Sequence, residues 1–256
     1  MKGFNHIGTW TLYKKEVHRF AKVYNQTLLA PVVTALLFLA IFNLAIGDNV
    51  KRVGDVPFAQ FMAAGLIMMA VVQNAFANTS SSFTMGKVLG TIIDYLMPPI
   101  SAGELAIAMV AAAITRGLCV GVLTAIALAF FIDIHVHSWL HTLFYLCCAS
   151  TLLALLGLFA GIIAETFDQM AAVTSYVITP MAFLSGTFYS IANLPEFWQK
   201  VSSYNPFFYM IDGFRYGLTG YHDGNLTTGA IVLVATTLAL WATVYTMLLK
   251  GYRVKQ

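Results

Sequence analysis

The strongest constraint on this chain is a set of apolar runs too long for a soluble core. Residues 27–46 (TLLAPVVTALLFLAIFNLAI) contain no charged side chain, and neither do residues 58–78. About 20 apolar residues in a helix cross a hydrocarbon core roughly 30 Å thick. Backbone groups in lipid must be satisfied within the protein, so each such run reads as a spanning helix. Further runs lie within residues 104–131 and 139–164, and at 170–189 and 227–249. The expectation is an all-α membrane protein with six transmembrane helices. Only 10% of the residues are charged, against about 25% in soluble domains, so residues 1–256 read as a single transmembrane domain. A net charge of +3 is too small to point to nucleic acid. The N-terminus is expected not to be a cleaved signal, because its apolar run is too long and no small-residue cleavage site follows it.

The run at 170–189 does not end as a simple span. Residues 179–217 continue as TPMAFLSGTFYSIANLPEFWQKVSSYNPFFYMIDGFRYG, mixing aromatics, two further prolines and a few charges. Pro195 and Pro206 each fit the first turn of a short helix, where a missing N–H is least costly. The pieces between them are too short and polar to span, yet apolar enough to lie in the interface or dip into the bilayer. Such a region either shapes a doorway at one membrane surface or anchors the last helix. Pro180 lies inside its span and should kink it.

Two amphipathic segments flank the first spans. In residues 6–24, Trp10, Tyr13, Val17, Phe20 and Tyr24 recur at spacings of three and four, an aromatic stripe along a helix lying on an anionic membrane surface. In residues 84–97, Met85, Val88, Leu89, Ile92, Leu96 and Met97 form a second stripe, ended by Pro98 and Pro99. A lipid-surface helix would carry more lysines on its polar face than Lys87 alone, which favours docking onto a partner.

Six spans place both termini on one side. That side holds Lys2, Lys14, Lys15, Arg19, Lys22, Lys87, Lys250, Arg253 and Lys255. The other holds Lys51, Arg52, Lys200 and Arg215. The excess of basic residues orients the termini to the cytoplasm.

Arg116 is the one basic residue within a span. Bare charge there costs about 2.5–3.5 kcal/mol on insertion scales, so Arg116 should face protein or water. It reads either as a substrate or gating contact or as part of a structural ion pair or capped carbonyl cluster, with Glu104 and Asp94 as possible partners. Cys119, Cys147 and Cys148 lie in apolar runs without metal-ligand spacing and read as small buried residues. His135 and His137 are two ligands at most, short of a metal site. No phosphate-binding G-x-x-x-x-G-K-[ST] occurs, and no clustered ionisable set suggests an integral membrane enzyme. Transport must therefore be passive, as in an ATPase-independent channel or scaffold, or be powered by a partner.

Residues 90–101 (GTIIDYLMPPIS), 185–190 (SGTFYS), 194–199 (LPEFWQ) and 205–217 (NPFFYMIDGFRYG) together resemble the ABC-2 type permeases of ATP-binding-cassette transporters, and within them the short bacterial permeases of the YadH group. The resemblance covers essentially the whole chain. It implies an interface helix at 1–26, a coupling helix at 84–98 and a re-entrant outer-gate region at 191–222. Gly90, Thr91, Ile92, Asp94, Tyr95 and Leu96 would contact the ATPase. Pro180, Phe183, Phe188, Tyr189, Pro195, Trp198, Asn205, Pro206, Tyr209 and Arg215 would shape the outer gate and pathway. The implied partners are a second copy, two ATP-binding subunits and membrane lipid. ATP and Mg would be bound by those subunits, with no cofactor and no catalytic residue in this chain. The implied activity is export of an amphipathic substrate (a drug, a lipid or a lipid-linked glycan) across a bacterial inner membrane.

Overall fold

The computed structural model describes residues 3–46 and 52–253; the side chains of residues 45, 46 and 96 also fall outside the description. Eleven α-helices are found among the described residues. A short helix, α1 (His6–Lys22), leads through a π-helical turn at Asn25–Leu29 into α2 (Ala30–Ile46). A two-residue hairpin, β1 (Arg52–Val53) with β2 (Val56–Pro57), precedes the long α3 (Phe58–Val88). Then come α4 (Ile93–Leu96), α5 (Ala102–Ala129) and α6 (Trp139–Ile163). The last part comprises α7 (Phe167–Val173), α8 (Thr179–Phe183), α9 (Glu196–Ser203), α10 (Pro206–Thr219) and α11 (Leu226–Lys250). Lys2, Lys51 and Lys255, used above for orientation, lie outside the described residues.

Five segments are long and apolar enough to cross a membrane: Asn25–Leu44, α3, α5, α6 and α11. The expected span at 170–189 is instead divided: α7, a π turn at Thr174–Ile178 and α8 end at Phe183. Two prolines explain both π turns. Pro31 and Pro180 each follow a π segment by two residues. A proline inside a helix lacks the N–H for the carbonyl four residues back, and its ring clashes with that carbonyl. Widening the preceding turn relieves the clash without ending the helix.

The centre of the fold is α3, buried around most of its circumference, with an apolar first half and buried polar side chains such as Asn74, Asn78, Thr79 and Ser82 in the second. It packs against α6, α5 and α10. The approach of α6 is close at Gly157, where a Cβ would strike the Phe76 carbonyl and Thr79 Oγ1. Thr79 uses that proximity to donate a 2.7 Å hydrogen bond to the Ala154 carbonyl. By contrast, α2 and α11 keep most of their apolar surface uncovered.

Three expectations about local structure are corrected. The helix expected at 84–97 is split, because α3 runs on to Val88 and Gly90 then takes φ +72°, a left-handed conformation that ends it. The Ile92 N–H returns to the Gly86 carbonyl at 2.8 Å, leaving one short turn, α4. On α1 the buried face is Leu12, Glu16 and Phe20, whereas Trp10 on this helix and Tyr24 just beyond it are exposed. This helix packs along α5, and the position of α5 selects the face. Cys119 and Cys147 are exposed on the outer surface of the bundle; an apolar helix shows sulfur outward as readily as inward when its surroundings are apolar. Pro206 opens α10 as expected, while Pro195 stands at the cap position one residue before α9.

Candidate functional site

Polar and aromatic side chains gather at three levels of the bundle. The first is where α1, α3 and α4 meet. Glu16 is fully buried. One of its carboxylate oxygens accepts from Ser82 Oγ at 2.9 Å and from the Tyr95 hydroxyl at 3.0 Å. The other accepts from Arg19 Nε at 3.1 Å. Arg19 also donates to the Asn78 carbonyl at 2.8 Å and, at 3.3 Å, to Asn78 Oδ1 and Ser81 Oγ. Burial first, and then the Glu16 charge, push the Tyr95 phenol up to about 12. It therefore stays protonated and serves as donor at neutral pH. Lys15 Nζ lies 4.1 Å above the Tyr95 ring. The start of α1 is tied to α5 as well, since Glu104 accepts from the Asn5 N–H and the Ser101 N–H, both at 2.5 Å. In return Ser101 Oγ accepts from the Glu104 N–H, completing a capping box.

Tyr95 is thus buried, while Ile93 and Asp94 before it are exposed. Gly90, Thr91 and Asp94 are exposed, and Ile92 is half-buried. Met85, Val88, Leu89, Ile93 and Met97 form an exposed apolar patch around α4. The exposed apolar patch at α4 thus stands over a buried polar network that ties this turn to α1 and α3.

At the second level Arg116 is buried on α5 and donates from Nη2 to Asn74 Oδ1 at 2.8 Å. Neither Glu104 nor Asp94 is its partner. Among the described residues the ion pairs are Arg19–Glu16, Arg215–Asp223 and Arg253–Glu165, so Arg116 has no carboxylate.

At the third level Arg215 is almost completely buried. It donates to the Gly186 carbonyl at 2.6 Å, lies 4.0 Å from Asp223 Oδ2 and stacks 3.7 Å from the centre of the Phe61 ring. Asp223 accepts from Ser190 Oγ at 2.5 Å, the Tyr221 hydroxyl at 2.7 Å and the Ile191 N–H at 3.2 Å. Asp212 accepts from the N–H groups of Asp223 and Gly224 at 2.7 and 2.9 Å. These bonds fasten the turn after α8 and the loop before α11 to α10. Asn205 caps α10 through Phe207 N–H and donates to Ser185 Oγ at 3.0 Å, and Tyr209 closes on the Ser203 carbonyl at 2.9 Å.

Beside this network, Phe188 stacks on Phe42 of α2 at 4.8 Å and on Phe183 at 5.3 Å, with Phe38 5.5 Å away. An open cavity of about 400 Å³ lies next to them, with Tyr189 and Trp198 among its mainly apolar lining. Of the gate residues expected from sequence, Phe183 and Phe188 meet in one cluster, Tyr189, Trp198 and Asn205 line that cavity, and Arg215 is locked in the core. Sequence reasoning missed Glu16, Asp212 and Asp223, and the pairing of Asn74 with Arg116. A carboxylate on a helix beside an arginine three residues on was the available signal for Glu16; the others needed contacts between distant segments.

The sequence of an ABC-2 type transporter domain matches residues 8–219. The chain belongs to the ABC-2 type transporter family. The inner membrane transport permease YadH of Escherichia coli K12 is 38% identical over 241 residues, 94% of each chain. Nodulation protein J of Rhizobium leguminosarum bv. viciae is 24% identical over 226 residues, 88% of this chain and 86% of the relative. Nodulation protein J of Rhizobium meliloti is 24% identical over 246 residues, 93% of each. With five spanning-length helices, this ABC-2 permease is a multi-pass membrane protein.

Proposed function

We propose that the chain is the membrane subunit of an ATP-driven exporter in a bacterial inner membrane, working as a homodimer with two separate ATP-binding subunits. The observation that carries this reading is the exposed patch of Leu89, Ile93 and Met97 on a turn braced by the Glu16–Tyr95 hydrogen bond. An ATPase groove closing on that patch would act on α1, α3 and α4 together, since hydrogen bonds among Glu16, Ser82 and Tyr95 join all three. The basic side chains of α1 support a cytoplasmic location for this end, and the α7–α8 segment, read as a sixth crossing, would return the C-terminus to the same side. The uncovered face of α2, with its neighbour Phe188, suits a second copy across a pathway lined by aromatics. Those rings and the mainly apolar outer cavity fit an amphipathic substrate.

Co-expression with the cassette ATPase encoded beside it, purification through a tag on the permease and ATP hydrolysis in lipid nanodiscs test the proposal. A complex of two plus two chains with vanadate-sensitive hydrolysis is expected. Ile93→Glu should abolish co-purification of the ATPase. Recovery of the permease alone, passing solute down a gradient, would replace the exporter reading with a channel.

A further inference from the structure

The carbonyls at the end of α6 are held by two cations from distant parts of the chain. Lys87 Nζ donates to the carbonyls of Ile162 and Ala164 at 2.8 and 2.7 Å. Arg253, beyond α11, donates to the carbonyl between them, that of Ile163, at 3.3 Å, and lies 3.6 Å from Glu165. The last carbonyls of a helix have no partner within it, and cations at that end also suit the helix dipole. The lysine that the sequence places on the polar face of a docking helix is therefore half-buried and spent on a neighbouring helix end.

On one side Lys87 is tied to the exposed turn. The Ile92 N–H bonds at 2.8 Å to the carbonyl of Gly86, the residue before Lys87, so α4 is fastened to this end of α3. On the other side the connection continues into α7. Only Glu165 and Thr166 separate Ala164 from α7, and they are cross-tied to it. The Glu165 N–H donates to Gln169 Oε1 at 2.8 Å, and the Gln169 N–H donates to Thr166 Oγ1 at 3.2 Å. Thr84, three residues before Lys87 on α3, sets its Oγ1 3.6 Å from Sδ of the buried Met170 on α7. From Phe167 the divided helix runs to Phe183, roughly 25 Å at the helical rise. Phe183 there stacks on Phe188 in the aromatic cluster.

We infer that Lys87 is a positioning residue for transport, carrying displacement of the α4 turn through the end of α6 into the divided α7–α8 helix. This role rests on the exporter reading above, in which an ATPase subunit acts on α4. The bonds of Glu16 join α4 to α1 and α3; the bonds of Lys87 extend that connection to α6 and the start of α7. Charge-assisted hydrogen bonds are roughly twice as strong as neutral ones, and Lys87 makes two on one short stretch of backbone. Arg253 braces the same carbonyls from the tail, but its side chain is 46% exposed, and exposed cations of this kind hold little.

Hydrogen–deuterium exchange of the permease–ATPase complex in nanodiscs, without nucleotide and trapped with ATP and vanadate, reads this connection and needs no transported substrate. In the wild type, trapping should change exchange in residues 167–178. In Lys87→Met the complex should still form, because the apolar patch is intact, and that difference should disappear. Lys87→Arg should restore it. In the permease alone, Lys87→Met should speed exchange within α7 by about tenfold, the effect of losing one hydrogen bond to a charged group. Gln169→Ala is an exposed substitution that leaves the Lys87 bonds in place and unties the turn from α7. It should abolish the same nucleotide-dependent difference, and it keeps the test decisive if Lys87→Met does not fold. A full difference in Gln169→Ala, or in Lys87→Met with only a lowered melting temperature, overturns the inference and leaves Lys87 as a helix cap. A wild-type complex whose residues 167–178 ignore nucleotide overturns the inference while the exporter reading stands. A wild-type permease that recruits no ATPase overturns the exporter reading, and the role of Lys87 falls with it.

Discussion

The Tyr95 hydroxyl donates to the fully buried carboxylate of Glu16 across 3.0 Å, joining the turn at α4 to the N-terminal helix, 79 residues earlier in the chain. Hydrogen bonds to charged groups contribute about 1.5–3 kcal/mol. Tyr95→Phe should therefore lower the melting temperature by several degrees while leaving the apolar patch in place. Hydrolysis by a bound ATPase should persist, and transport per ATP should fall. Unchanged transport per ATP with a lowered melting temperature would limit the clamp to a stabilising role.

The same bond sets a pH dependence. Burial and Glu16 hold the folded phenol at about 12, above its ordinary value near 10. Between these values the folded state keeps a proton that the unfolded state has lost, so stability falls as pH rises. The contribution should be complete below pH 10 and disappear as pH rises towards 12. In a denaturation series the difference between wild type and Tyr95→Phe should be flat from pH 6 to 9.

Arg215 lies 4.0 Å from Asp223 in the buried core at the α10 end. Removing one partner of such a group leaves uncompensated buried charge, at a cost of about 3–5 kcal/mol. Arg215→Met should sharply reduce folded yield. Arg215→Met combined with Asp223→Asn should recover part of the loss, a coupling read by a double-mutant cycle.

Gly157 allows α6 to touch the backbone of α3 at Phe76. Gly157→Val must force the two helices apart, and overpacking of this kind costs about 1–3 kcal/mol. Thr79 should lose its bond to Ala154 in the same variant. Melting temperature and proteolysis of the purified protein measure the effect.

Pro180 maintains the π turn at Thr174–Ile178. Pro180→Ala restores a backbone donor and removes the ring clash, so α7 and α8 should merge into a regular helix. The expected outcome is an equal or higher melting temperature with slower transport, if the divided helix moves during the cycle. Equal transport in both proteins would confine the π turn to accommodating the proline.

The α4 turn shows where sequence reasoning reached its limit. The apolar spacing through Met85, Val88, Leu89 and Ile92 fits one helix, yet Gly90 breaks it with a positive φ. Spacing alone does not reveal that conformation, because glycine also occurs within helices. Arg116 shows a second limit. Its position within a span was legible, but its partner is an asparagine 42 residues away on a neighbouring helix, and nothing local distinguishes Asn74 from Glu104.

Long charge-free runs by themselves determined that this chain is a helical membrane protein, because lipid leaves the backbone no other donor or acceptor than its own helix. Motifs between those runs likewise carried the family. Tertiary structure alone decided that Glu16 faces Tyr95, that Arg215 lies buried between Asp223 and the Phe61 ring and that Arg116 pairs with Asn74. Local sequence fixes hydrogen bonds along a helix, but a buried polar side chain is satisfied by whichever helix packs against it.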